Sequence, residues 1–392
     1  MPEDDFRPDG GLSTAEKYYE DYGSRARELK KQGKKIIGYL CSLTPLEIVT
    51  AAGFIPFRIK GSVKEPITKA DTQMETIVCP LVRSCFDITL KGNYDFLDGI
   101  IIPHACDSIT RSYSTIRYSL GLPYSHFLNL PHTAKDISLE FFKAELDTFR
   151  RSLGNFAGEE VSDESLIRTS RLYNENRAKV RELYELRKSD PPLISGTEIT
   201  KVLVASMSLP VEESTELLSR VVDEVKQRKG ISPVQKLPRI MVIGAQVDDA
   251  TLIKLIEDSG ASVVADSVCV GSRDHFPPTD ITPDPLDGIA DHYLRRLKCP
   301  RTYVEWTEGT YDDYLELRFG HIGSSLRDFK VDAVILYILK YCDPFGFEVP
   351  ARVKYIESLN IPVLHLEDEY SMASIGRLRT RIQAFLEMIT SW

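Results

Sequence analysis

The chain has 392 residues, 42% hydrophobic and 27% charged, with a formal net charge of -9 and a pI near 5.5. That length asks for more than one domain, the composition supplies a core, and the acidic balance, with no long Lys/Arg run, argues against a nucleic-acid or anionic-membrane surface. The start MPEDDFRPDG lacks the regions of a secretory leader, no apolar stretch is long enough to span a bilayer, and seven cysteines without a CxxC pair argue against a disulfide framework, so a cytoplasmic protein is expected.

In chain order, TAEKYYEDYGSRARELKKQG reads as a helix closing at Gly33, within an N-terminal helical extension over residues 1–34. KKIIGYLC then reads as a strand ending at Cys41. SLTPLEIVTAAG follows as a helix, with Ser42 or Thr44 as its cap, Pro45 at its first position and Gly53 at its end. FIPFRI is a second strand. CPLVRSCFDITLKG starts as a helix with Cys79 at the N-cap and Pro80 in the first turn. FLDGIII is a third strand that runs out to Cys106, DSITRSYSTIRYSLG a helix and YSHFLNL a fourth strand. This alternation over 35–135 is the pattern of parallel βαβ units.

Over 136–236 the strand signals vanish, and apolar residues recur at three- and four-residue spacing, which predicts a helical connector interrupted at SDPPLISG. Alternation returns over 237–392 with PRIMVIGAQV, ATLIKLIEDSG, SVVADSVC, helical stretches near 284–297 and 310–329, DAVILYILKYC, VPARVKYIESLN, IPVLHLE and a final helix. The fold class predicted is α/β: two parallel-sheet lobes joined by helices.

Ligands of open parallel sheets gather outside the carboxyl ends of the strands. Cys41, Cys106, Cys269 and Cys342 all fall at such ends. Cys79, at a helix N-cap, sits where the dipole and free N–H groups favour a thiolate, and Cys299 lies in a loop before Pro300. Cys85, inside a helix, is expected in the core. The competing reading for each is an inert buried thiol, in a non-enzymatic binding or assembly protein. Structural zinc takes closely spaced ligand pairs, whereas these cysteines are spread along the chain. Soft thiolates without histidine pairs point to iron and sulfur.

The segments GYLCSLTPLEIVTAAG, CPLVRS, LDGIIIPHACDS, PPLISG, VVADSVCVGSR, LKYCDP and IPVLHLEDEYS together resemble the subunits of 2-hydroxyacyl-CoA dehydratases and benzoyl-CoA reductases, an oxygen-sensitive iron–sulfur family. The resemblance covers nearly the whole chain from about residue 35. PHACDS, RSYSTIRY, FLNLPH and LYNENRAKVRELYELRKSDPPLISG are most similar to the smaller catalytic subunit of the ATP-dependent benzoyl-CoA reductases. It implies two Rossmann-like domains with a cluster in the cleft between them, and Cys79, Cys106 and Cys342 as the three ligands of a 4Fe-4S cubane. Cys41, Cys269 and Cys299 stand where some relatives carry a second set and hold an 8Fe-9S double cubane, although Cys299 stands alone where related sequences can be richer in cysteine.

The resemblance further implies a homologous catalytic subunit as partner in a hetero- or homodimer, an acyl-CoA substrate at or near their interface, and a separate ATPase activator that delivers low-potential electrons for reducing benzoyl-CoA to a cyclic dienoyl-CoA. The alternatives are a 2-hydroxyacyl-CoA dehydratase subunit and a homodimeric double-cubane reductase of small molecules. The absence of a GxxxxGK[ST] loop agrees with ATP being handled elsewhere.

Other residues carry two readings each. His104 can hydrogen-bond a cluster sulfur or pass a proton, or be satisfied by backbone. Arg83 offsets cluster charge or faces solvent. Asp107 and Ser108 are expected to cap a helix. The acids of DEY at 368–370 match a family motif or form a solvated loop, and GAQVDD lacks the GxGxxG spacing of a nicotinamide site.

Overall fold

The computed structural model describes residues 10–228 and 236–391. The polar start at 1–9 and the end of the connector at 229–235 lie outside the described residues. The N-terminal helical pattern forms two helices, α1 (Gly11–Glu20) and α2 (Ser24–Lys31), because Gly23 between them takes φ +95, a left-handed conformation that interrupts a right-handed helix.

The next seven elements are β1 (Ile36–Tyr39), α3 (Leu46–Ala51), β2 (Ile55–Arg58), α4 (Pro80–Leu90), β3 (Gly99–Pro103), α5 (Asp107–Leu120) and β4 (Tyr124–Leu128). Four long helices follow: α6 (Asp136–Ala157), α7 (Asp163–Glu185), α8 (Gly196–Ser206) and α9 (Val211–Lys226). Then come β5 (Arg239–Gly244), α10 (Thr251–Asp258), β6 (Ser262–Ser267), α11 (Ser272–His275) and α12 (Pro285–Asp291), which runs into a π-helical turn at His292–Arg296. The chain ends with α13 (Tyr311–Asp328), β7 (Ala333–Leu339), α14 (Asp343–Ser358), β8 (Val363–Asp368) and α15 (Ile375–Thr390).

Both sheets are parallel and share one plan: β2-β1-β3-β4 in the first and β6-β5-β7-β8 in the second. Two four-stranded parallel sheets of this kind fit two Rossmann-like domains. The central strands β1, β3, β5 and β7 are buried along their whole length, as in AVILYIL of β7, because helices cover both faces of a parallel sheet, while the outer strands β4, β6 and β8 carry polar residues. Sequence order and spatial packing part company at one place. Leu286, Ile289, Tyr293 and Leu294 follow the second sheet's β6, yet pack with Ile37, Ile101, Phe142 and Phe149 around the first sheet.

Candidate functional site

In each sheet the chain leaves two adjacent central strands, β1 and β3 or β5 and β7, towards opposite sides, and a crevice opens outside their carboxyl ends. Cys41 lies just past β1, Cys106 is the N-cap of α5 after β3, and Cys342 is the N-cap of α14 after β7. Cys79 is the N-cap of α4, with Pro80 in the first turn. Cys269 follows β6, and Cys299 follows the π-helical turn. Tyr341, held at φ +59, makes the sharp exit from β7 into Cys342. The backbone N–H of Cys79 donates to Ser108 Oγ at 3.1 Å, which fixes the Cys79 loop to the start of α5. Ser108 is therefore engaged with Cys79 and caps nothing, while Asp107 binds Arg111 one turn along.

The six thiols form one electrostatic group. Cys342 lies within reach of Cys79, Cys106 and Cys269, Cys106 within reach of Cys41 and Cys299, and Cys299 within reach of Cys269. Burial pushes the Cys41 thiol up to about 12, against the pull of Arg58. Burial likewise raises Cys79, Cys106, Cys299 and Cys342, opposed by the N–H groups of Leu81 and Val82 at Cys79, Ile109 at Cys106 and Phe345 at Cys342. Desolvated thiols of this kind ionise when a metal supplies the missing positive charge.

Among the described residues no three His, Cys, Asp or Glu side chains form a group that could hold a metal ion. A cluster sets a different requirement, since each thiolate takes its own iron and the ligands line a space instead of meeting at a point. By donor chemistry the six soft thiols fit such a group. A groove of about 370 Å³, lined by Thr133, Leu297, Cys299, Thr302 and Arg318 among others, opens beside Cys299.

Polar contacts tie the two lobes together around these thiols. Ser42 Oγ donates to the Cys269 carbonyl at 2.8 Å. Arg58 donates to Gln246 Oε1 at 2.6 Å, Gln246 Nε2 to Asp248 at 2.8 Å, and Tyr370 OH to Asp248 at 2.6 Å. The GAQVDD segment is thus part of a buried network between the lobes. Within DEY, Asp368 is buried and accepts from Tyr337 OH, whereas Glu369 is exposed beside Lys340. Arg301 donates to the carbonyls of Ala105 at 3.2 Å and Leu130 at 2.9 Å, so the Cys299 loop plugs into the edge of the first sheet.

His104 donates its backbone N–H to Leu128, and its Nε2 lies 3.4 Å from Nε2 of His132, whose Nδ1 lies 3.3 Å from the Arg301 carbonyl. The chain His104–His132–Arg301 thus links the Cys106 loop with the Cys299 loop. Arg83 pairs with Asp71 and donates to the Val78 carbonyl at 3.1 Å, while remaining in electrostatic reach of Cys79. Cys85 packs in the core with its Sγ 3.8 Å from the Ile59 carbonyl. Residues that sequence reasoning passed over are His132, Arg58, Arg273 and Arg301. Only an arginine close behind a cysteine, as in CVGSR and CPR, offered a signal.

Fold and site together define a two-lobed α/β protein that gathers thiols at the facing carboxyl edges of two doubly wound sheets. A family model described as 2-hydroxyglutaryl-CoA dehydratase, D-component matches residues 41–389, and the chain belongs to that family. It is 26% identical to the (R)-phenyllactyl-CoA dehydratase beta subunit of Clostridium sporogenes, over 96% of this chain and 100% of the relative. It is 24% identical to one of the benzoyl-CoA reductase subunits of Thauera aromatica, over 97% and 98%. Identity is also 24% to the (R)-2-hydroxyglutaryl-CoA dehydratase beta subunit of Acidaminococcus fermentans, over 92% and 94%. These identities do not separate a reductase from a dehydratase. No helix among the described residues is long and apolar enough to cross a membrane.

Proposed function

We propose that this chain is the iron–sulfur subunit of a two-subunit acyl-CoA enzyme, fed with low-potential electrons by a separate ATPase activator. The observation that carries the proposal is the convergence of six cysteines, three of them helix N-caps, in one group at the facing edges of the two sheets, with Cys79 buried and the other five half-buried. Cys79, Cys106 and Cys342 would hold one 4Fe-4S group, and Cys41, Cys269 and Cys299 a second, joined to the first as a double cubane. When bound, such a group supplies one-electron chemistry at negative potential.

The protein's own part is to desolvate the thiols, to aim the N–H groups of three helix starts at them, and to close the lobes around them through Ser42, Gln246 and Arg301. His104, paired with His132, is the side chain in the Cys106 loop able to carry a proton. Ile77, Tyr341 and Phe347 flank Cys79 and Cys342 in the chain and are 68%, 49% and 86% exposed. Large exposed apolar side chains beside the cysteines suit a face covered by a homologous catalytic subunit, with the acyl-CoA at that interface.

Two reactions share this architecture. The motifs from PHACDS to PPLISG favour reduction of benzoyl-CoA to a cyclic dienoyl-CoA. The full-length similarity to dehydratase beta subunits favours removal of the hydroxyl of a 2-hydroxyacyl-CoA. The test is anaerobic iron and sulfide quantitation on the chain, where about eight irons support two cubanes and about four support one. The chain and its partner subunit are then supplied with activator, ATP and each thioester. A dienoyl product assigns the reductase and an enoyl product the dehydratase, and a chain that takes up no iron overturns the proposal.

A further inference from the structure

Buried charge persists in proteins when it is paired, and among the described residues three of the seven buried arginines obey that rule with an ion pair. Arg177 pairs with Glu47 at 2.9 Å, Arg187 with Asp266 at 3.1 Å and Arg352 with Glu348 at 2.5 Å. Arg239, at the end of β5 away from the cleft, makes no ion pair among the described residues: its guanidinium donates to the carbonyls of Phe329, Ser189 and Arg187, with Asp190 and Asp332 in electrostatic reach. Arg58, Arg273 and Arg301 are as buried, at 2%, 5% and 7% exposure, and make no ion pair among the described residues either.

Their donors go to neutral groups. Arg58 reaches Ser42 Oγ at 3.4 Å and Gln246 Oε1 at 2.6 Å, and its Nε has no partner. Arg273 reaches the Gly244 carbonyl, Ser267 Oγ and Cys269 Sγ, each at 3.1 Å, and its Nε also has no partner. Arg301 binds only the carbonyls of Ala105, Leu130 and Pro131. Asp274, in electrostatic reach of Arg58, is shared with Arg177 and Arg273 and forms no ion pair with any of them.

The three guanidiniums also gather around one set of thiols. Arg58 is in reach of Cys41 and Cys269, Arg301 of Cys299 and Cys41 and more weakly of Cys106, and Arg273 touches Cys269 and is in reach of Cys299. Beside Cys79, by contrast, Arg83 is already taken by Asp71. The surplus positive charge is therefore weighted towards Cys41, Cys269 and Cys299.

We propose that Arg58, Arg273 and Arg301 are the fixed counter-charge of an anionic iron–sulfur group seated on Cys41, Cys269 and Cys299, and that they raise its reduction potential. The proposal rests on the two-cubane reading above. Each added electron makes a cluster more negative, and fixed cations in a desolvated site favour the reduced form. The electron stored by the chain would then reside on the half of the cluster held by these three cysteines.

The test compares Arg58→Gln, Arg273→Gln and Arg301→Gln, each beside its Lys counterpart, in the full chain reconstituted anaerobically with iron and sulfide. In Gln variants that load as much iron as wild type, the reduction equilibrium should shift at least tenfold against the reduced form, about 59 mV for one electron. The Lys variants should stay nearer the wild-type potential. Fully loaded Gln variants with unchanged potential overturn the assignment and leave the two-cubane reading intact. A wild-type chain that loads only about four irons overturns that reading, and this assignment with it.

Where a variant does not load, the melting temperature of iron-free protein decides. Removing an uncompensated buried charge should raise it in the Gln variant relative to wild type, and a lowered value in all three overturns the proposal.

Discussion

Cys79 and Cys85 share one helix and separate the two fates open to a cysteine in this chain. Cys79 caps α4 with free N–H groups at its sulfur, whereas Cys85 points into the apolar core against the Ile59 carbonyl. Cys85→Ser should leave the iron content unchanged and cost about 1–3 kcal/mol for burying a hydroxyl, read by denaturant unfolding. Cys79→Ser, Cys106→Ser and Cys342→Ser should each remove iron while leaving the far-UV circular dichroism of the fold in place. Equal iron in all four variants would return the cysteines to packing groups. The strand-end cysteines were legible because an apolar run that stops at Cys marks where a strand leaves its sheet. The arginines around them were not, because a charged residue in a loop looks the same in a sequence whether water or a thiol surrounds its head group. His132 was missed for a related reason, since its contact with His104 joins two loops that only the sheet order brings together.

The central strands were legible one by one, since helices cover both faces of each sheet there and leave near-continuous apolar runs, and the outer strands β4, β6 and β8 were legible from their place in the alternation with helices. The N-terminal helical pattern closes at Gly33 as expected, but its continuity was misread because Gly23 sits inside an otherwise periodic pattern and splits it into two helices. The cap of α3 was misread because Pro45 takes the N-cap position and Ser42 is spent on the Cys269 carbonyl. Least legible was the role of α3 itself. Its Glu47 is fully buried and accepts from Arg177 of α7 at 2.9 Å, from Tyr293 OH in the π-helical turn at 2.8 Å and from Thr279 Oγ1 at 3.1 Å. One carboxylate thus clamps three distant segments. Glu47→Gln should cost roughly 3–5 kcal/mol, because it leaves Arg177 buried without its counter-charge. Glu47→Gln combined with Arg177→Met should recover part of that loss, measured as the coupling in a double-mutant cycle. A double variant no better than the single one would mean that the hydrogen-bond geometry matters more than the charge.

Across the whole molecule, the same closure that desolvates the thiols also keeps several histidines neutral, and this gives the fold a direction of pH sensitivity. Burial holds His275 and His292 down at about 3, His321 at about 3 and His126 at about 4, with Arg177 adding to the effect at His275 and His292. In the unfolded chain these rings take up protons near pH 6.5. Their folded values are depressed, so the stability they contribute is complete above about pH 6.5 and is lost as pH falls towards the folded values. The enclosed His275 and His292 should each contribute a slope of about 1.4 kcal/mol per pH unit in that window, and the half-buried His126 and His321 less. Glu47 acts in the same direction at lower pH. Burial alone would raise its carboxyl, but Arg177, with the hydrogen bond from the Tyr293 hydroxyl, holds it at about 2, so its contribution is lost below about pH 4.5. Urea unfolding of the iron-free chain between pH 7.5 and pH 5 should therefore show a steep fall in stability, and His292→Gln should flatten it by close to one proton's worth. One buried carboxylate titrates in the same window with the opposite sign: burial raises Asp274 to about 6, so its proton uptake offsets part of the fall below that pH. With Asp274→Asn as the background, a curve that stays flat down to pH 5 would mean that the buried histidines are solvated.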